Sequence, residues 1–212
     1  MKIGIIGATG KIGSLVLAEA IERGHDITAI ARSSSKLVNN NINILEKEIT
    51  EITSEDLENL DVVVNAFGAP LGEEDVHVIA GRSLIEALKG TDTIIIVVGG
   101  AGSLYIDEEQ TIKLIDTPEF PEKSEPTAKG QSRNLQDLKN SQGITWTFLS
   151  PAADFNWEGI RNGSYQIGKD NLLVNSKGNS YISYADFAIA ILDEIENPQH
   201  KNERFTVVGE EI

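Results

Sequence analysis

Three glycines at a fixed spacing lie near the start of the chain, between an apolar stretch and an amphipathic one. The predicted strand, residues 2–6, precedes them, and the predicted helix, residues 11–23, begins among them. Glycines at such a turn let the backbone approach a pyrophosphate group, and the unpaired amides at the start of the helix attract negative charge. The spacing therefore predicts a dinucleotide site, with a plain strand-to-helix turn as the alternative. The residues predicted to bind are Gly7, Ala8, Thr9, Gly10, Lys11, Ile12 and Gly13.

The residues after the second predicted strand, 27–31, indicate which dinucleotide binds. A protein specific for NAD usually has a carboxylate here for the adenosine ribose, whereas this chain continues with Arg32 and Ser33. The Arg32 guanidinium can form a forked pair with a 2′-phosphate, and the Ser33 hydroxyl can add a hydrogen bond. We therefore expect NADPH as the cofactor, with NADH as the second choice. The alternative interpretation of Arg32 is a solvated loop arginine.

The elements that must position these residues alternate along the chain. Short β-branched runs alternate with amphipathic stretches, which predicts an α/β protein with a doubly wound, mostly parallel Rossmann sheet flanked by helices. Strands are predicted at residues 2–6, 27–31, 42–45, 62–65, 93–98 and 145–149. Helices are predicted at residues 11–23, 54–58, 75–89 and 128–139.

The second half of the chain is less regular. Residues 99–127 show no clear periodicity, and irregular segments of that length tend to be functional, so we expect an active-site loop. Short strand-like pieces, a helix near 184–195 and a strand at 204–208 then predict a small lobe over the carboxyl edge of the sheet. This lobe, within residues 151–212, is expected to be part of a single NAD(P)-binding domain, residues 1–212.

The composition limits the partners and the compartment. The chain carries 33 acidic and 18 basic side chains, a formal net charge of −15, so neither nucleic acid nor an anionic membrane is expected as a partner. It has no cysteine, which excludes disulfides, thiolate zinc sites and a thiol nucleophile and suits a reducing cytoplasm. The first apolar run is too short for a signal sequence or a membrane span.

The three histidines give no indication of a metal centre. His25, His77 and His200 are far apart in the sequence and lack the spacing that is typical of metal ligands, so no metal is expected. His77 lies near the start of the third predicted helix, close to the predicted cleft, and we expect it to be solvated.

Several motifs resemble those of a known superfamily. The glycine turn, the basic residue after the second strand and the run Asn65-Ala66-Phe67-Gly68 resemble the atypical branch of the short-chain dehydrogenases/reductases. The chain is more closely similar to the NADH-flavin reductase-like group, which is related to NmrA-type proteins and to biliverdin reductase B. The stretches that carry this closer likeness are Val98-Gly99-Gly100-Ala101-Gly102-Ser103-Leu104, Asp116-Thr117-Pro118-Glu119-Phe120-Pro121 and Trp146-Thr147-Phe148-Leu149-Ser150-Pro151-Ala152.

This resemblance implies cofactor contacts at the carboxyl ends of later strands, which is also where ligands of doubly wound sheets bind. It implies that Gly68 and Ala69 line the cofactor after the fourth strand, that Gly99 to Ser103 run beside the nicotinamide, and that Ser150-Pro151-Ala152 closes over it. The residues predicted to bind the cofactor at these strand ends are Ala66, Phe67, Gly68, Gly99, Gly100 and Pro151.

The usual proton donor of the superfamily is missing. Ordinary members use a helical Tyr-x-x-x-Lys pair to exchange a proton with a carbonyl or an alcohol. The helix that would carry the pair begins near Lys129, but Glu125 stands four residues before that lysine. Tyr165 and Lys169 have the right spacing, yet a glycine separates them and they lie in the strand-like tail, so we interpret this match as coincidental. Alcohol dehydrogenation by the tyrosine mechanism is therefore disfavoured.

A flavin or quinone acceptor needs less from the protein, because its later protonation can come from water. Ser103 is predicted to hydrogen-bond such an acceptor, with Tyr105 as the second candidate, although either could simply stabilise the loop. Phe155 and Trp157 could stack on an isoalloxazine ring, or they could be core aromatics.

Three functions follow from these patterns. The leading one is an NAD(P)H-dependent reductase that transfers hydride to a flavin-like, quinone-like or similar small conjugated acceptor. The rival is a non-catalytic redox sensor of the NmrA type that binds NADP(H) and signals to a protein partner, and the missing donor favours it. A nucleotide-sugar epimerase or dehydratase is the third, but the short tail and the absent tyrosine count against it.

Overall fold

The computed structural model describes residues 1–37, 42–70 and 72–211, which form an α/β fold on one large sheet. The strands in these ranges are β1 (Lys2–Ile6), β2 (Asp26–Ala31), β3 (Asn43–Glu46), β4 (Val62–Asn65), β5 (Ile94–Val98), β6 (Thr145–Ser150), β7 (Asp154–Asn156), β8 (Gln166–Gly168), β9 (Tyr181–Ser183) and β10 (Glu203–Val208). The α-helices are α1 (Lys11–Glu22), α2 (Ser54–Leu57), α3 (Glu74–Leu88), α4 (Glu125–Asn140) and α5 (Tyr184–Glu196).

The predicted helices and strands are confirmed, with shifted ends. The largest shift is at α4, which begins three residues before the predicted start because Pro126 is accommodated in its first turn, where a missing amide proton costs nothing. Within the described ranges, no helix is both long and apolar enough to cross a membrane.

Eight strands form the main sheet, in the order β3-β2-β1-β4-β5-β6-β10-β8. Neighbouring strands are parallel except for the last pair, β10 and β8. The strand order reverses between β1 and β4, so a crevice opens beyond their carboxyl ends, where doubly wound sheets bind ligands. The predicted doubly wound Rossmann sheet is confirmed.

The C-terminal segment is joined to this sheet more closely than the sequence predicts. β10 lies parallel to β6, and β8 lies antiparallel to β10, so both strands extend the sheet instead of forming a lobe. The reason is burial, because Phe205 and Val207 on β10 enter the same apolar core as β1. The separate part of the lobe is reduced to the parallel pair of β7 and β9.

Two apolar cores cover the two faces of the sheet, which explains why the strands are almost entirely apolar. On one face α1 and α5 supply Val16, Phe187 and Ile191 against the strand residues Ile3 and Ile5. On the other face α3 and α4 supply Leu84, Leu88 and Leu135 against the strand residues Val63 and Phe148.

Helices α3 and α4 pack unusually closely because glycine lies at their contact points. A β-carbon at Gly130 would lie 2.5 Å from the carbonyl oxygen of Glu74, and one at Gly81 would overlap the side chain of Asn134. This close approach fixes the positions of the α3 and α4 side chains that face the crevice.

Candidate functional site

Two adjoining cavities lie at the carboxyl ends of β1, β4, β5 and β6. The first, of about 510 Å³, runs along residues 6–12, and we call it the glycine groove. The second, of about 340 Å³, is walled by Phe67, Phe120, Phe155 and Tyr184, and we call it the aromatic cavity. The two cavities lie side by side, because they share lining residues. The shared residues are Ile12, Ala66, Phe67, Gly68 and Tyr184.

The glycine turn has the geometry that a pyrophosphate requires. Gly7 has a φ of +76°, which favours glycine, and its amide donates to the carbonyl of Ile30 at 3.0 Å. Gly10 is the N-cap of α1 and supplies no side-chain cap, and the first turn of α1 holds no acidic residue. The first amides of the helix therefore point towards the groove without a carboxylate to compete for them. This arrangement fits the pyrophosphate of a dinucleotide.

Two residues of the predicted run do not reach the groove. Ala8 is buried in the core beside α1, because its side chain points into the protein. Gly13 faces the turn itself, and a β-carbon there would lie 2.1 Å from the carbonyl oxygen of Gly7. Neither residue presents a side chain to the groove, so any contact of these two with a cofactor would be made by the backbone. The other residues of the run, which line the groove, are Gly7, Thr9, Gly10, Lys11 and Ile12.

The far end of the groove is cationic. Arg32 and Ser33 line it as predicted, and Ser35 and Lys36, which the sequence reasoning passed over, lie beside them. All four are exposed, so their side chains are available to a ligand. Lys47 also lines this end but is paired with Asp56 at 2.7 Å, which reduces the positive charge that it offers. Glu48 and Ile49, which follow β3, line the same end.

The residues after β4, β5 and β6 line the cavities as the resemblance implies. The Asn65 side chain accepts the amide of Phe67 at 3.1 Å and so shapes the turn that presents Ala66, Phe67 and Gly68. Gly99 and Gly100 line the aromatic cavity together with Pro151. Glycine is required at position 99 because a β-carbon would lie 2.1 Å from the buried Phe148 ring, whereas one at position 100 would meet only the end of the Gln131 side chain, which can turn away.

Aromatic side chains form one wall of the cavity. Phe155 packs on Tyr184 with ring centroids 3.9 Å apart and on Phe187 at 4.7 Å. Burial raises the pKa of Tyr184, so its phenol stays protonated at neutral pH and can donate a hydrogen bond. The sequence singled out Phe155 but not Tyr184. Trp157 is 55% exposed and lies outside the cavity, where Lys11 Nζ is 4.0 Å from its ring.

His77 lines the aromatic cavity and is only 8% exposed, which corrects the expectation that it is solvated. Its Nε2 atom accepts the amide of Ala69 at 3.4 Å, and burial lowers its pKa. The imidazole is therefore neutral at pH 7. His25 and His200 lie elsewhere, each beside a glutamate. Among the described residues, no group of three or more His, Asp or Glu side chains could bind a metal ion.

Helix α4 presents a polar stripe to the aromatic cavity. Ser124, Thr127 and Gln131 line it, and the Oγ1 atom of Thr127 is buried without a hydrogen-bond partner. The sequence analysis missed all three residues. The signal was available in their spacing, because steps of three and four residues place side chains on one face of a helix.

Ser103 and Tyr105, predicted to contact the acceptor, lie outside both cavities. Ser103 is only 8% exposed, and its Oγ accepts Nη1 of Arg204 at 2.9 Å, so its hydroxyl belongs to a buried contact with β10. Tyr105 makes isolated bridges to Lys113 and Asn171 within the loop and tail. The Ser103 side chain and the Tyr105 backbone therefore stabilise the loop, which was the alternative considered from the sequence.

The Tyr-x-x-x-Lys string at Tyr165 has no access to the cavities. The Tyr165 hydroxyl donates to Asp193 at 2.7 Å, burial and this contact raise its pKa, and Lys169 lies 3.8 Å from Glu203. This agrees with its interpretation as coincidental. On α4, where the functional pair would lie, Lys129 forms an ion pair with Glu125.

Comparisons with known proteins agree with this geometry. A family model described as NAD(P)H-binding matches residues 7–198. The uncharacterized protein YwnB of Bacillus subtilis is 60% identical over 211 residues, which cover 99% of each chain. A Streptococcus pneumoniae structure, assigned by inference as an NADH-flavin reductase, is 41% identical with a TM-score of 0.92, covering 99% of this chain and 100% of that one. A Bacteroides thetaiotaomicron structure, assigned by inference as an epimerase, is 36% identical with a TM-score of 0.89, covering 100% and 98%.

Proposed function

The chain belongs to the NAD(P)H-binding family, and from that premise we propose that it is an NADPH-dependent reductase that passes hydride to a small conjugated acceptor in the aromatic cavity. The observation that carries the proposal is that the two cavities adjoin and share five lining residues. The groove suits a dinucleotide, and beside it lies a cavity whose aromatic walls suit a flat ring. A reduced nicotinamide, when bound, supplies two electrons and a proton as hydride.

The chain's own residues would bind and orient the two reactants. The first amides of α1 would hold the pyrophosphate, and Arg32 with Ser33 would hold the 2′-phosphate that distinguishes NADPH from NADH. Gly99 and Pro151 would bring the nicotinamide beside the cavity, because neither presents a long side chain there. Holding the two reactants in contact is the main contribution to catalysis that such a site can make.

The absence of a tyrosine-lysine pair on α4 supports an acceptor that takes its second proton from water. In its place Lys129 is paired with Glu125 on the surface of the helix, where neither can serve as a donor in the cavity. A flavin or a quinone meets this condition, whereas a simple ketone needs a positioned acid. The name of the Streptococcus pneumoniae relative, an NADH-flavin reductase by inference, agrees with a flavin acceptor.

The missing donor also favours the second candidate, a sensor that binds NADP(H) and reports its occupancy to a protein partner. A sensor would bind NADPH tightly but would oxidise it with no acceptor. The aromatic cavity counts against it, because a sensor has no need of a second ligand site beside the first.

The decisive experiment follows the absorbance of NADPH with FMN, riboflavin or a small quinone, after NADPH binding has been measured by calorimetry. The test variant is Gly10→Asp, because an N-cap aspartate favours the helix but places its carboxylate where the pyrophosphate would bind. The matched control is Gly10→Asn, which adds the same bulk without the charge.

We expect acceptor-dependent oxidation by the native protein and a far larger loss of NADPH affinity in Gly10→Asp than in Gly10→Asn. Tight binding without turnover on any acceptor would instead support the sensor. Equal losses in the two variants would contradict the pyrophosphate site.

A further inference from the structure

We propose that the acceptor is an uncharged, flat ring that bears a carbonyl oxygen, and that the Thr127 hydroxyl donates a hydrogen bond to that oxygen. This inference rests on the proposed function and specifies its substrate class. It predicts that riboflavin, which carries no phosphate, is a better acceptor than FMN, although the two have the same ring.

The first observation is the unpartnered hydroxyl on α4. Thr127 lines the aromatic cavity, and its Oγ1 atom is buried at the wall without a hydrogen-bond partner within the described residues. A buried hydroxyl without a partner is unfavourable, and a helical threonine can usually relieve this by bonding to the carbonyl four residues earlier. Thr127 does not do so, so a ligand carbonyl in the cavity would satisfy it.

The second observation is the contrast in charge between the two cavities. The glycine groove is lined by Lys11, Arg32 and Lys36, whereas no Lys, Arg, Asp or Glu among the described residues lines the aromatic cavity. His77 is neutral there because burial lowers its pKa. A phosphate on the acceptor would therefore have no cationic partner in the cavity, and the net charge of −15 would repel it from the protein as a whole.

The third observation is the shape of the cavity. Phe155 and Tyr184 form an aromatic wall with their ring planes tilted by 31°, and the volume of about 340 Å³ is at the small end for ligand sites. The nicotinamide itself would occupy the part nearest Gly99. The remaining space suits a planar ring with at most a flexible, uncharged side chain that extends towards solvent.

The redox step balances with the reactants named. The C–H bond of the dihydronicotinamide breaks, its hydrogen and both electrons pass to the acceptor, and one proton from water completes the dihydro product. Thr127 keeps its proton throughout, because its part is to hold the carbonyl and stabilise the negative charge that develops on the oxygen. It is therefore a residue that contacts substrate and is not an acid.

The test compares kcat/KM for riboflavin and FMN with saturating NADPH, together with the Kd of each for the NADP⁺-bound protein from quenching of flavin fluorescence. We expect riboflavin to be favoured at least tenfold in both measurements. Equal values, or a preference for FMN, would overturn the inference, as would a failure of riboflavin to bind at all. Failure of NADPH itself to bind would instead contradict the proposed function.

The variant Thr127→Val removes the hydroxyl with little change of shape. We expect it to lower kcat/KM for riboflavin about tenfold and to weaken riboflavin binding while the Kd of NADPH stays the same, and Thr127→Ser should restore most of the loss. The matched control is Thr50→Val, an exposed position whose side chain lines neither cavity. If Thr127→Val matches the control, or if it weakens NADPH binding equally, the assigned role of the hydroxyl is wrong.

Discussion

Replacing Arg32 by alanine should weaken NADPH binding and leave NADH binding almost unchanged. A hydrogen bond to a charged group contributes about 1.5–3 kcal/mol. Arg32 is exposed at the end of the glycine groove, so solvent screening reduces this to about 1–2 kcal/mol. At 1.4 kcal/mol per factor of ten, the Kd of NADPH should rise roughly 5- to 30-fold. NADH has no 2′-phosphate, so its Kd should change by less than a factor of about two.

Calorimetry at two salt concentrations would measure both dissociation constants. The matched control is Arg82→Ala, which makes the same change in net charge on the exposed face of α3, where Arg82 pairs with Asp137. The NADPH effect of Arg32→Ala should shrink as salt increases, because exposed charges are screened. An equal loss for NADPH and NADH, or a loss in Arg82→Ala of the same size, would refute the assignment of Arg32 to the 2′-phosphate.

Three further perturbations test other parts of the structure. Gly13→Ala should lower the free energy of unfolding, measured in urea, by up to about 2 kcal/mol and should abolish NADPH binding. The new β-carbon would meet the backbone of Gly7, and the resulting strain of about 1–3 kcal/mol exceeds the stability that alanine gains from its higher helix propensity. Unchanged stability and binding would show that the turn tolerates a side chain. Arg204→Ala should lower the free energy of unfolding by about 2–3 kcal/mol, because its guanidinium is buried against Ser103 and pairs with Asp170. Arg161→Ala should lower it by less than about 1 kcal/mol, because the Arg161 side chain is half-exposed and its partner Glu19 keeps its contact with Arg23. Equal losses of unfolding free energy in Arg204→Ala and Arg161→Ala would mean that the buried contact adds nothing to stability. Burial lowers the folded-state pKa of His77, so its contribution to stability is complete above the unfolded-state pKa near 6.5 and declines as the pH falls below it. The free energy of unfolding should therefore fall less between pH 7.5 and pH 5.5 in His77→Gln than in the native protein. An equal fall in the two proteins would contradict the assignment of this pH dependence to His77.

The fold could be predicted because local patterns specify it. Apolar runs and amphipathic stretches alternate with the two periods of strands and helices, and parallel strands with helical crossovers allow few arrangements. The tail was harder to predict, since the short strand Gln166–Gly168 has no distinctive pattern. It pairs because β10 beside it offers a free edge, which is a property of the assembled sheet.

The groove could be predicted for a similar reason, and the cavity could not. Gly7, Gly10 and Arg32 are near one another in the sequence, and their position after a strand places them at the sheet's carboxyl edge. Ser103 also follows a strand, but Arg204 captures its hydroxyl from the other end of the fold. A contact between residues so far apart in the chain leaves no pattern in the local spacing of residues. The acceptor contact was therefore predicted for Ser103, and Thr127 was not considered.

The contact between Arg204 and Ser103 has a consequence for the order in which the protein is completed during synthesis. The two residues are 101 positions apart, which at about 5–20 residues per second is a delay of roughly 5–20 s. The turn, the cationic end and the β4 segment of the groove all lie before residue 70, so they emerge well ahead of that contact. The residues of the turn, the cationic end and the β4 segment are therefore all synthesised before the loop that follows β5 receives its anchor, and the aromatic half of the site is completed last.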